Sequence, residues 1–180
     1  LCLRPAKKGG ASALVSADTL YNEMRRRRPD LLPLLFQPYA TDWRNEAPTG
    51  GEGHYDVPVF SWFAGRLYVR YARRYINSAL RFDDVPALTE LEIEALDLFD
   101  SLADDPAIHL TMQFKPGDIQ LIHNHQTLHD RTEFEDWDEP ERKRHLLRLW
   151  LNCRDGLPLP ETLRPRFYEL EVNSPGRGGL

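Results

Sequence analysis

The sequence predicts a mainly β domain with helical insertions, of the double-stranded β-helix or jelly-roll kind. Three observations predict it. Short apolar and aromatic runs recur along the chain, punctuated by Gly9-Gly10, Ala64-Gly65 and Pro116-Gly117. Only residues 18 to 28 and 88 to 104 carry strong helical signals. The 180 residues, 41% of them apolar, suffice for one core, and the pattern shows neither a repeat nor a second domain.

The elements follow in order. Residues 1 to 6 and 11 to 16 read as strands around the Gly9-Gly10 turn. Residues 18 to 28 read as a helix capped by Ser16 or Asp18 and stopped by Pro29. Its last turn, Arg25-Arg26-Arg27-Arg28, is better read as a solvated helix end than as a nucleic-acid or membrane patch, because cations suit a helix C-terminus. Residues 42 to 54, with Pro48, Gly50, Gly51 and Gly53, form a loop. Residues 55 to 63 and 66 to 71 make a hairpin across Ala64-Gly65. In residues 88 to 104, Thr89 and Glu92 form a capping box, and Leu91, Ala95, Leu98 and Leu102 line one face. Residues 108 to 115 and 119 to 125 make a second hairpin around Pro116-Gly117. From Pro158 the chain is irregular until a short strand near residues 168 to 172.

The chemistry concentrates between residues 117 and 153. On a strand over residues 144 to 153, Arg144, Leu146, Arg148 and Trp150 share one face, while His145, Leu147, Leu149 and Leu151 share an apolar face that should pack against another layer. The two arginines stand roughly 6.6 Å apart along the backbone. A buried arginine without a partner costs about 3–5 kcal/mol. Each therefore faces solvent, meets an anionic ligand through its bidentate fork, or pairs with one of the 28 acidic residues. The composition leaves these alternatives open. His123 and His125, one residue apart on an apparent strand, would point the same way. With His129 they allow a three-histidine metal site. His54-Tyr55-Asp56 has the spacing of a His-x-Asp ligand pair, which with His129 would make the two-histidine, one-carboxylate triad of non-haem iron enzymes.

Gly117 to Thr132, the strand from Arg144 to Trp150, and the early Pro5-Ala6-Lys7-Lys8-Gly9-Gly10-Ala11-Ser12 together resemble the taurine dioxygenase (TauD/TfdA) family. These are Fe(II)- and 2-oxoglutarate-dependent dioxygenases with a clavaminate-synthase-like fold. The likeness continues through Pro58-Val59-Phe60-Ser61 and Leu67-Tyr68-Val69-Arg70-Tyr71 to Pro175-Gly176-Arg177-Gly178-Gly179. By position, it implies that His129, in Leu128-His129-Asp130-Arg131-Thr132, is the distal iron ligand. Arg144 would hold the far carboxylate of 2-oxoglutarate, and Ser12 would stand for a threonine hydrogen-bonded to the same molecule. Arg148 would contact an acidic group on a small organic substrate. The resemblance also implies succinate and carbon dioxide as products.

The family's His-x-Asp/Glu pair belongs upstream of the strand matched by residues 1 to 6. His54 and Asp56 fall in a later, non-ligand stretch and are rejected as the triad. The expectation is a C-terminal portion of a longer enzyme, a single dioxygenase domain that by itself is inactive. A non-catalytic binding module on the same scaffold is the remaining alternative.

A net charge of −5 argues against general nucleic-acid binding. Cys2 and Cys153 have no metal or redox spacing and fit a reducing compartment. No run of 18 apolar residues is present. A cytoplasmic protein with a small-molecule partner is expected, with homo-oligomerisation left open. Residues 42 to 54 and 130 to 141 are the candidate loops for substrate choice, the acidic 130 to 141 stretch reading better as a solvated loop than as a cation-binding lid.

Overall fold

The computed structural model describes residues 1–44, 53–151 and 156–166. The strand expected near 168 to 172, Cys153 and most of the 42 to 54 loop lie outside them. The described chain runs β1 (Cys2–Arg4), β2 (Lys8–Gly9), β3 (Ser12–Ser16), α1 (Ala17–Arg27), a 3-10 turn (Leu32–Phe36), β4 (Pro38–Asp42), β5 (His54–Pro58), β6 (Phe60–Phe63), β7 (Arg66–Val69), α2 (Arg73–Ala79), α3 (Glu90–Ala103), β8 (Leu110–Met112), β9 (Thr127–Arg131), β10 (Phe134–Glu135) and β11 (His145–Leu146). Two compact units result. One joins Leu1–Leu34 with Thr89–Trp150; the other holds Leu35–Leu88 and the described residues from Leu151 onward.

In the first unit, β3 is the centre of an antiparallel sheet ordered β8-β3-β9, while β1 pairs with β11 and β2 with β10. Helix α1 packs on β3 and α3 packs on α1, burying Leu20 and Met24 of α1 and Ala95, Leu96, Phe99 and Leu102 of α3. Thr89 caps α3 as expected. Its hydroxyl accepts from Glu92 N–H at 3.3 Å, and its own N–H donates to Glu92 Oε2 at 2.7 Å. The buried stripe of α3 differs from the expected one: Leu91 is 55% exposed and Leu98 is only half-buried. The helix is turned so that Leu96 and Phe99 are covered, and an aromatic ring there removes more apolar surface from water than Leu91 would.

The arginine run at the end of α1 is occupied by local ion pairs. Arg26 and Arg27 meet Glu23 at 2.6 and 2.9 Å, and Arg28 meets Asp30 at 2.6 Å and also Glu94. Exposed pairs of this kind are each worth under about 1 kcal/mol. They engage three of the four arginines of the run.

Two strand expectations are corrected. Residues 119 to 125 carry no strand assignment and do not return along β8, which pairs with β3 instead. After the turn at Gly117 (φ 94), Cys2 N–H donates to Asp118 O at 2.8 Å and Gly117 N–H donates to Cys2 O at 2.9 Å. A distant strand, β1, has taken the place of the local partner. The strand expected over 144 to 153 is shorter, since only His145–Leu146 joins β1, extended by Leu147 N–H to Leu1 O at 2.9 Å. Beyond that no neighbouring strand pairs with it among the described residues. Leu149, expected to pack, is 83% exposed, and Leu147 and Leu151 are exposed too.

In the second unit, β4 pairs with β5 and β6 with β7, all antiparallel. The β6–β7 turn has Ala64 at φ 49 and Gly65 at φ 73, the two positive values that a two-residue hairpin turn matching strand twist requires. The single strand expected over residues 55 to 63 is two, divided at Val59. Val57, Tyr68 and Leu163 form a buried cluster with Tyr55 and Leu159 against it, and Tyr68 OH donates to Pro158 O at 2.7 Å. At the end of β4, Asp42 is buried. It accepts from Arg81, from Ser78 Oγ at 2.5 Å and from Arg44 N–H at 2.7 Å. The Arg81 guanidinium above all holds its carboxyl down at about 2.

Candidate active site

Sheet register builds the site. Leu14 lies opposite His129, and Ser12 opposite Arg131. Directly opposed residues of an antiparallel pair project to the same face, and alternate residues along a strand share it. Ser12, His129 and Arg131 therefore stand on one side of the β3–β9 pair. Val15, on the other side, is buried. Ser12 is itself buried, whereas His129 and Arg131 reach solvent. Crowding around the His129 imidazole, and then the Arg148 charge, push its pKa below the usual histidine value, while Asp130 pulls the other way. A metal ligand must be the neutral imidazole, so the shift has the right sign.

Arg144 enters from β11's leading edge. Its backbone N–H donates to Asp136 Oδ1 at 2.7 Å, which fixes where the side chain starts. A Cβ on Gly10 would lie 3.4 Å from Arg144 Nε and 3.3 Å from Phe134 Cβ, and Gly10 has φ +72. At Gly9 (φ +70) a Cβ would lie 2.2 Å from Glu133 O. The two glycines thus permit both the backbone conformation and the close approach. Phe134 is flanked by two guanidiniums, Arg131 at 4.4 Å and Arg144 at 5.4 Å from its ring centre.

The Arg144 guanidinium is half-buried, and no carboxylate or other hydrogen-bond partner for it occurs among the described residues. Burial, then the Arg131 charge, lower its pKa, though an arginine stays charged. Arg148 is exposed, stacks 4.7 Å from the Trp150 ring centre and acts electrostatically on His129. Of the three alternatives for the arginines, local salt bridging is absent for Arg144 and Arg148 among the described residues. Solvent serves Arg148, while Arg144 stands half-buried without a carboxylate partner among the described residues.

The other histidine combinations make no metal group among the described residues. The chain turns at His123, whose carbonyl accepts from Gln126 and Thr127 N–H at 3.0 and 3.1 Å, so no strand aligns His123 with His125. His123 is exposed and His125 buried, with rings 6.2 Å apart at 72°. The three-histidine site on His123, His125 and His129 is thereby corrected. His54 Nε2 meets Asp84 at 3.2 Å and its ring packs 5.4 Å from Phe82, while Asp56 is exposed on β5. No group of three or more His, Cys, Asp or Glu suited to a metal occurs among the described residues.

Arg131 and Gln120 were not singled out from the sequence. Period two would have found Arg131, two residues after His129 on the same strand. Gln120 has no such signal: it reaches Ser12 from 108 residues away, its Oε1 accepting from Ser12 Oγ at 3.2 Å.

An imidazole open to solvent, a buried hydroxyl, and a half-buried guanidinium without a carboxylate partner among the described residues lie in this part of the chain. The fold is similar to that of a solved structure, asparagine oxygenase in complex with Fe(II), a 3-hydroxyasparagine and succinate, which matches 80% of this chain and 41% of its own at a TM-score of 0.57 and 21% identity. A family profile described as "Taurine catabolism dioxygenase TauD, TfdA family" matches residues 1–150, and the chain belongs to that family. It is 36% identical over 178 residues to FR-33289 synthase of Streptomyces rubellomurinus, covering 96% of this chain and 51% of that protein. It is 30% identical over 148 residues to uridine-5'-phosphate dioxygenase of an Amycolatopsis species, covering 82% and 52%. The chain thus spans about half the length of these relatives. No helix among the described residues is long and apolar enough to cross a membrane.

Proposed function

We propose that this chain carries the co-substrate side of an Fe(II)- and 2-oxoglutarate-dependent dioxygenase site on a double-stranded β-helix, in an enzyme that oxidises a small anionic molecule. The observation that carries the reading is Arg144, half-buried and lacking a partner among the described residues, beside a glycine turn that leads to the Ser12 hydroxyl. A guanidinium fork held this way suits a carboxylate. Arg144 would hold the far carboxylate of 2-oxoglutarate, Ser12 would act on it through the side chain its hydroxyl bonds, and Arg131 and Arg148 add positive charge that draws a dianion in. When bound, 2-oxoglutarate supplies two electrons for the reduction of dioxygen, leaving as succinate and carbon dioxide.

His129 would hold the iron, on the face that also bears Ser12. The described residues do not by themselves make an iron site, since none of them completes a three-ligand group. Their own share of the work is binding, orientation and charge complementarity. Arg148, exposed and close enough to His129 to shift it, is placed to meet an acidic group of the substrate.

Calorimetric titration of 2-oxoglutarate into the chain tests the reading. The unaltered chain should bind, and Arg144→Gln should bind at least about tenfold more weakly, the loss of one charge-assisted contact. Equal affinity of the two would refute the assignment. A non-catalytic module would bind the acid equally well, yet the protein that carries this chain would then show no oxygen uptake dependent on 2-oxoglutarate.

A further inference from the structure

We propose that Gln120 is a further binding residue for the diacid, its side-chain amide donating to the carboxylate held by Arg144; the inference rests on Arg144 as the anion anchor. Gln120 Oε1 accepts from the Ser12 hydroxyl at 3.2 Å, and Ser12 is buried. A serine hydroxyl carries one proton, so while that bond stands Ser12 has none to give a ligand. The other end of the same amide is the donor in waiting. Gln120 Nε2 is shut off from water and has no hydrogen-bond partner among the described residues.

A buried N–H without an acceptor is unfavourable, and only an acceptor relieves it. Turning the amide over would let Nε2 donate to Ser12 but would strand the carbonyl oxygen in its place. A carboxylate accepts and never donates, so it selects the orientation observed, with Ser12 holding Oε1 and Nε2 left to donate. The group that calls for an anion is near. Arg144 Nε lies against Gly10, two residues before Ser12. Strand β1 bonds through Cys2 to Asp118, two residues before Gln120, and the same Cys2 lies opposite Leu146, two residues after Arg144. Arg144 therefore supplies charge, Gln120 supplies a directional neutral donor, and Ser12 sets the amide's orientation.

The test is calorimetric titration of 2-oxoglutarate into the unaltered chain and into Gln120→Leu, Gln120→Glu and Arg144→Gln, with thermal melting of each to confirm folding. Gln120→Leu should weaken binding about 10- to 100-fold at every pH. Gln120→Glu should weaken it further at neutral pH and regain affinity, relative to the unaltered chain, as its carboxyl protonates on acidification. A residue that merely props Ser12 would give equal losses for the two substitutions with no pH dependence, and that result overturns the inference. So does wild-type affinity in Gln120→Leu together with lost binding in Arg144→Gln, which leaves the reading of Arg144 intact. A chain that does not bind the acid at all overturns both.

Discussion

Replacing Asp42 with Asn should cost stability above pH 4 and almost none near pH 2. In the folded chain the carboxylate is 1% exposed and receives Arg81, Ser78 and the Arg44 N–H, which hold its pKa at about 2 against 3.8 for the free group. A folded-state value below the unfolded one stabilises the fold above the unfolded pKa and loses that contribution as pH falls through the folded one. The difference corresponds to about 2 kcal/mol. Arg81 is half-exposed, so water screens the pair and about 1–2 kcal/mol is expected. Urea unfolding of the wild type and Asp42→Asn at pH 6, 4 and 3 measures the gap, and carboxylates elsewhere titrate in both and cancel. It should narrow steadily below about pH 4. A gap that stays constant, or widens, from pH 6 to pH 3 would refute the argument that charge on Asp42 stabilises this corner.

Thr89→Ala removes the hydroxyl that accepts from Glu92 N–H and should lower stability by about 1 kcal/mol, read as a drop in thermal midpoint; an unchanged midpoint would mean that α3 is held by packing alone. Arg148→Ala, made in the protein that carries this chain, should raise KM for the organic substrate while 2-oxoglutarate affinity in calorimetry stays within about twofold, since Arg144 keeps its place. The opposite pattern would exchange the roles of the two arginines.

What could be read from the sequence was local chemistry. The capping box at Thr89 and Glu92 depends on four residues, and the Ala64-Gly65 turn on two, so both were visible without knowledge of the rest. Pairing over long separations was not. Nothing in residues 108 to 125 announces that β8 leaves its neighbour for β3, or that Cys2 takes the backbone bonds of Asp118. The His123 and His125 reading failed for a related reason: alternation suggests a strand, but the chain turns at His123, which leaves one ring exposed and the other buried. On α3 the spacing found Ala95 and Leu102, which are buried, but not Leu96 and Phe99, which are covered in place of Leu91 and Leu98. The candidate site was legible through resemblance, which supplied His129, Arg144, Ser12 and Arg148. The structure adds the face shared by His129 and Ser12 and the contact of Gln120 with Ser12. Residues that meet across more than 100 positions leave no periodic trace.

The opposition of Leu14 and His129 makes the chemistry hostage to alignment. Sliding β9 past β3 by a single residue would send the imidazole through the sheet and put Asp130 or Leu128, according to the direction, opposite Leu14 on the side of Ser12. Insertions or deletions in the turn before Thr127 are therefore far more hazardous than their surface setting suggests, because a miscounted turn exchanges a nitrogen donor for a hydrocarbon or an acid without altering any residue that takes part.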